Sequence, residues 1–269
     1  MNTTTPLVSC VLLYALTPPA IAEPLKTFSF SEPHWHSRWQ LSWNDRLDTT
    51  DITTTPDSKQ LLQVNYPQGG VGPRHSGVQF PIEFAKQAGL KSSYTALRLD
   101  YCVTFSNSFD FVLGGKLPGL MGAEDSWSRS GGNQPNGSNG WTMRYMWREN
   151  GAAVIYAYLP PSPNGRYGGH PWGQDIELGE RFIPGQRHCL AQQIKINDLG
   201  QENGELTVWF DGKQVLHRKD ITYRLTDTPA GYIGGIMFST FHGGNTPDWA
   251  PAHLSKAWFD ALSISNANF

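Results

Sequence analysis

The sequence predicts an all-β protein of two packed sheets, a sandwich or a β-jelly roll, with long loops lining a cleft. Three observations predict it. Short runs rich in β-branched and aromatic residues recur along the chain. Turn formers separate them, with 28 Gly and 19 Pro among 269 residues. Only one segment, residues 82–88, reads as a short helix. Many short strands with almost no helix must bury their apolar faces sheet against sheet. The net charge of -2 offers no general attraction for nucleic acid, and an acidic ligand would require a local basic groove.

Taken in order, residues 1–22 read as an export signal. Residues 7–16 form a short apolar core, and Ala20-Ile21-Ala22 is a cleavage site of A-x-A type before Glu23, although no Lys or Arg precedes the core. The expectation is a secreted or periplasmic protein whose folded part is 23–269. The apolar run is too short to span a membrane, and no second long run follows. Leu7-Val8-Ser9-Cys10 has the form of a lipid-attachment box, but the apolar run continues past Cys10. Cys102 and Cys189 remain after cleavage, both in strand-like segments. An oxidised pair and two buried free thiols both fit the sequence.

Predicted strands cover 61–66, 94–105, 109–116, 141–147, 154–159, 189–196, 206–210, 213–217, 233–240 and 257–264. Asp211-Gly212 marks a hairpin between the seventh and eighth. Two Gly/Ser/Asn/Pro-rich stretches, 122–140 and 160–173, are expected to line the cleft.

The chemistry-bearing residues fall in neighbouring predicted strands. In 109–116 alternation places Asp110, Val112, Gly114 and Lys116 on one face, with Gly114 and Gly115 removing bulk beside the Lys. In 141–147 Thr142, Arg144 and Met146 share a face, and in the following strand so do Tyr156 and Tyr158. The turn between them carries Asn150-Gly151. A two-residue loop gives an odd register that sends both tyrosines away from Arg144. A three-residue loop, or a bulged one with a left-handed Gly151, gives an even register that brings Arg144, Tyr156 and Tyr158 together. Singly, each residue also fits a solvated strand end, a surface ion pair or cross-strand packing.

Two cations and two phenols suit β-elimination on a polyuronate. Removing the weakly acidic C5 proton of a uronate leaves an enolate-like state, which fixed cations in a partly dry groove stabilise. A phenol titrates at about 10 in water, and neighbouring cations are expected to lower that value. One tyrosine would then take the C5 proton and a tyrosine would protonate the departing O4. No step calls for a metal or cofactor. His34 and His36 have a spacing too common to define a metal site.

The segments Gly114-Gly-Lys-Leu-Pro-Gly119, Arg144-Tyr-Met-Trp-Arg-Glu-Asn-Gly151 and Tyr156-Ala-Tyr-Leu-Pro160 resemble, in combination, polysaccharide lyase family 14, which includes alginate and glucuronan lyases. His188-Cys-Leu-Ala-Gln-Gln-Ile-Lys-Ile-Asn197 and Phe241-His-Gly-Gly-Asn-Thr-Pro-Asp-Trp249 add weaker likeness, so the resemblance runs from about Tyr94 to the C-terminus. It implies a jelly roll with a charged, aromatic cleft and catalysis by Lys116, Arg144, Tyr156 and Tyr158. It also puts Thr142 where the family carries Ser, and His242 where a second Phe is expected.

Arg74 and His75, Gln192, Arg166 and His242 complete the set of candidate substrate contacts beside Thr142. Two other classes compete with this reading. Asp175 and Glu177 share a strand face like the paired carboxylates of β-sandwich glycosidases, but their order does not fit the usual Glu-x-Asp-x-x-Glu pattern. A non-catalytic carbohydrate-binding jelly roll would use Trp127 or Trp172 for sugar stacking. The expectation is therefore a monomeric lyase acting on an acidic polysaccharide, alginate first and glucuronan second.

Overall fold

A computed structural model describes residues 23–32, 34–122 and 132–269. The signal expected at 1–22, Trp127 and the first half of the 122–140 stretch lie outside the described residues. The chain forms a two-sheet β-jelly roll whose strand pairs are all antiparallel. The strands are β1 (Pro24–Phe28), β2 (Asp51–Thr54), β3 (Gln60–Tyr66), β4 (Val78–Glu83), β5 (Ala96–Phe105), β6 (Gly114–Met121), β7 (Thr142–Arg148), β8 (Ala152–Tyr158), β9 (Gln174–Arg181), β10 (Arg187–Lys195), β11 (Gly204–Phe210), β12 (Lys213–Ile221), β13 (Gly235–Thr240), β14 (Ser255–Phe259) and β15 (Leu262–Ser265).

One sheet has nine strands, in the order β12-β11-β10-β5-β14-β3-β2, with β15 pairing both β1 and β5. The other has six, in the order β4-β13-β6-β7-β8-β9. Alternation builds the core between them. Along β5, Leu97, Leu99, Tyr101, Val103 and Phe105 point inward while the intervening residues face out. Met143, Tyr145 and Trp147 of β7 meet them from the second sheet. The central strands of the six-stranded sheet are buried on both faces, so its outer face is covered as well.

Cys102 and Cys189 are direct cross-strand partners in β5 and β10 and form a disulfide. It faces outward, on the floor of a hollow of about 670 Å³ in the nine-stranded sheet.

Three expected elements change. Residues 82–88 are not a helix: Val78, Phe80 and Ile82 alternate into the core as β4, followed by a short 3-10 turn at Phe84–Lys86. Pro81 is accommodated because β4 is an edge strand, where a missing N–H costs no ladder bond on the open side. The strand expected at 109–116 begins only at Gly114, since Val112 has φ 46° and breaks the extended chain. Asp110 and Val112 therefore do not alternate with Lys116. The run 257–264 divides into β14 and β15 around Asp260, which pairs with both Lys59 and Arg187.

Candidate active site

The β7–β8 hairpin sets the site. Its turn is a 3-10 loop, Glu149–Gly151, with Asn150 at φ 56° and Gly151 at φ 75°. The left-handed pair gives the even register: Thr142 stands opposite Tyr158, and Arg144 opposite Tyr156. Arg144, Met146, Val154, Tyr156 and Tyr158 thus share the face turned away from the core. β6 adds Lys116, opposite Met146. β9 adds Asp175, opposite Tyr156.

The side chains meet closely. The Lys116 ammonium lies 3.1 Å from Met146 Sδ and 3.5 Å from the Tyr156 ring centre. The two tyrosine rings meet edge to face at 5.3 Å. The Arg144 guanidinium lies 5.3 Å from the Tyr158 ring, and its Nη1 donates to Ser239 Oγ at 3.4 Å. Ser239 in turn donates to Gln79 Oε1 at 2.8 Å, and Gln79 donates to Asp45 at 3.3 Å. Among the described residues Nε and Nη2 of Arg144 make no hydrogen bond of ordinary geometry, although Tyr158 lies close enough to interact, and the hydroxyl of wholly buried Thr142 beside it makes none either. Among the described residues neither Lys116 nor Arg144 has a salt-bridge partner. The third cation differs: Arg148 is clasped by Asp175 through two 2.7 Å bonds.

Burial decides the electrostatics. It pushes the Lys116 ammonium well below its usual range, and repulsion from Arg144 and Arg148 adds to it. Burial also pushes the Tyr156 phenol up, with Tyr158 adding to the effect. Arg144 and Arg148 pull the other way but do not win. This corrects the expectation that the cations would lower that phenol.

The remaining candidates scatter. Arg74 and His75 are exposed on a loop anchored by Gly72 N–H to the His242 carbonyl at 2.9 Å. His242 does not border the groove. It is wholly buried, stacked on Phe109, donating to the Asp110 carbonyl at 2.8 Å and facing Ser76 Oγ at 3.3 Å. Gln192 points into the core, where its amide is bonded to backbone of the other sheet. Arg166 pairs with Asp220 at the exposed end of β12. Hydrogen bonding inside the fold therefore takes His242 and Gln192 out of the substrate-contacting set, whereas Arg166 stays exposed.

Sequence reasoning missed Arg148 and Trp249. Arg148 lies 5.5 Å from the Tyr156 ring and 5.9 Å from Trp249, and Trp249 packs on the Met146–tyrosine cluster. The signal for Arg148 was present, since it is two residues beyond Met146 on the same alternating face. Trp249 reaches the site by tertiary folding alone. Gly173 also touches it: a Cβ there would lie 2.8 Å from both tyrosine rings, so the end of the 160–173 loop rests on them.

Two buried cations with no salt-bridge partner among the described residues, beside a protonated phenol, form a receptor for an anion with a proton-transfer group next to it. A family profile described as polysaccharide lyase 14 matches residues 54–262. Similar solved structures include a marine PL-14 alginate lyase from Aplysia kurodai (24% identity, TM-score 0.77, covering 91% of this chain and 100% of that one). An alginate lyase from Chlorella virus is 21% identical with a TM-score of 0.67, covering 86% of this chain and 94% of that one. An endo-β-1,4-glucuronan lyase from the fungus Trichoderma reesei is 13% identical with a TM-score of 0.56, covering 84% and 91%. At these identities the likeness shows the fold. No curated protein matches the sequence.

Proposed function

Since the chain belongs to polysaccharide lyase family 14 and is a polysaccharide lyase, we propose that it cleaves a 1,4-linked polyuronate by β-elimination, with alginate as the substrate and glucuronan as the second choice. The observation that carries this reading is the pair of cations, Lys116 and Arg144, buried without a counter-ion among the described residues and set on one face with Tyr156 and Tyr158. A uronate carboxylate supplies the missing negative charge. It stabilises the Lys116 ammonium against desolvation and satisfies the N–H groups of Arg144.

In the reaction, the two cations hold the carboxylate and stabilise the enolate-like state as the C5 proton leaves. Tyr156, held protonated by burial, delivers its proton to the departing O4. Tyr158, facing the Arg144 guanidinium, takes the C5 proton. The C4–O4 bond breaks as the C4–C5 double bond forms, leaving a 4,5-unsaturated uronate end. The cross-strand disulfide supports the export read from the leader, because such a bond persists in an oxidising compartment.

One observation favours a second assignment of the base. The depressed Lys116 ammonium gives up its proton more readily than an ordinary Lys, so its free amine is also able to take the C5 proton. Ultraviolet absorbance over time, on alginate, polymannuronate, polyguluronate and glucuronan, tests the reaction and names the substrate. Lys116→Ala and Tyr158→Phe are each expected to lower turnover about 100-fold or more. Lys116→Arg keeps the cation but not the titratable amine. Substantial turnover in that variant supports the cation role, and turnover as low as in Lys116→Ala transfers the base to Lys116. A flat trace for wild type on all four polymers overturns the lyase reading.

A further inference from the structure

Gln192 is an anomaly of the core. Its neighbours on the same face of β10, Leu190 and Ile194, are apolar, and it is 0% exposed. Burying a primary amide is costly unless both of its ends are hydrogen-bonded. They are, and both partners belong to the opposite sheet. Oε1 accepts from Leu120 N–H at 3.0 Å and Nε2 donates to the Met143 carbonyl at 3.0 Å. Leu120 and Met143 face each other across the β6–β7 ladder. A second polar group reaches across from the same direction: the Tyr101 hydroxyl, on β5, donates to the Pro118 carbonyl at 3.0 Å.

These three backbone groups surround the one irregularity between Lys116 and Arg144. Lys116 pairs with Met146 and Gly119 pairs with Arg144, so Leu117 and Pro118 together stand opposite Tyr145. This is a β-bulge, with one extra residue in β6. Pro118 has no N–H to give the ladder. Gly119 is pressed so closely on β7 that a Cβ would lie 2.0 Å from the Met143 carbonyl oxygen and 2.6 Å from Arg144 Cα. The ladder at this point therefore has few means of its own to fix the offset of Lys116 from Arg144. From the other edge of β6, Lys116 N–H bonds the Phe241 carbonyl at 2.9 Å and β13 pairs with Gly119, Leu120 and Met121, which leaves Leu117 and Pro118, the bulge itself, without a ladder partner on either edge.

We propose that Gln192 and Tyr101 are positioning residues for the elimination: from the nine-stranded sheet they clamp the Leu117–Pro118 bulge and so hold Lys116 in register with Arg144. The inference rests on the roles given above to Lys116 and Arg144. Neither clamp residue touches the cleft, and both act through the backbone of β6 and β7. A displacement of about 1 Å at a catalytic group costs on the order of 100-fold in rate, so loosening the clamp is expected to cost about 10-fold.

The test compares Tyr101→Phe, which keeps the ring and loses only the hydroxyl, with Gln192→Leu, which removes both amide bonds. Turnover and KM are measured well below the melting temperature of each variant. The 13C shift of Lys116 Cε is followed against pH without substrate. The expected result is kcat lowered about 10-fold in each variant, KM within about two-fold of wild type, and a moved Lys116 titration midpoint, because that midpoint depends on distance from Arg144 and Arg148. Variants that melt earlier but keep wild-type kcat and an unmoved Lys116 midpoint overturn the proposal and reduce both residues to core packing. Tyr101→Phe decides the matter if Gln192→Leu does not fold. A wild type inactive on every polyuronate defeats the functional reading instead, and the Lys116 midpoint still shows whether the clamp exists.

Discussion

Lys116 is held at a cost to the fold. Its folded pKa lies below the unfolded value, so over the interval between them the folded protein binds fewer protons than the unfolded chain. Stability contributed by this group is present above the unfolded pKa and is lost as pH falls through the depressed one. Lys116→Met, similar in length and uncharged, is therefore expected to abolish turnover while raising the melting temperature by about 2 °C or more at neutral pH. The gain should shrink toward zero as the pH rises past about 10.5. Thermal melts of both proteins from pH 6 to 10 check this, and a variant no more stable than wild type at pH 7 contradicts it. At this scale the sequence was legible where alternation carried the signal, as for Arg144, Tyr156 and Tyr158. It was not legible where burial mattered. His242 and Gln192 look like surface polar groups in the sequence, and nothing local shows that Phe109, Asp110 and Ser76 enclose one while Leu120 and Met143 bond the other. The rise of the Tyr156 phenol was hidden for the same reason.

The hairpin joining β7 and β8 is the element on which the site depends. Gly151 has φ 75°, and a Cβ there would lie 2.3 Å from the Phe182 carbonyl oxygen. Only glycine fits this turn, and the turn fixes which face the tyrosines occupy. Gly151→Val is expected to cost about 1–3 kcal/mol of stability and to lower turnover as well, because relief of the clash pulls the end of β8 out of register. Denaturant melts and the ultraviolet assay measure the two effects, and wild-type values in both would contradict the role. Asn150-Gly151 makes this turn readable in the sequence, although two loop lengths fit the dipeptide equally well. The edge strand β4 was less readable because Pro81 interrupts its pattern, and whether a proline is tolerated depends on neighbours that lie more than 150 residues along the chain, such as Met237.

For the molecule as a whole, two packed sheets were legible in the sequence but not which distant strands pair. β5 meets β10 through nine residue pairs, and that contact brings Cys102 opposite Cys189 across a separation of 87 residues. Closing a loop of that length is worth about 4 kcal/mol, equivalent to a fall of about 10 °C in melting temperature when both are changed to Ser. The bond lies on the outer face of the nine-stranded sheet, away from the tyrosines, so turnover at 25 °C is expected to stay within about two-fold of wild type. Calorimetry with and without a reductant, followed by the activity assay, tests both statements.

The same bond encloses more than two strands. β6, β7, β8 and β9, and with them Lys116, Arg144, Tyr156 and Tyr158, all lie between Cys102 and Cys189, so the whole catalytic half-sheet is a covalently closed ring. The exposed 160–173 segment is where a protease would first cut. A single cut there opens the ring without releasing a fragment, and the two pieces separate on a gel only after reduction. The reactive groups thereby stay on one covalent molecule after the first proteolytic injury.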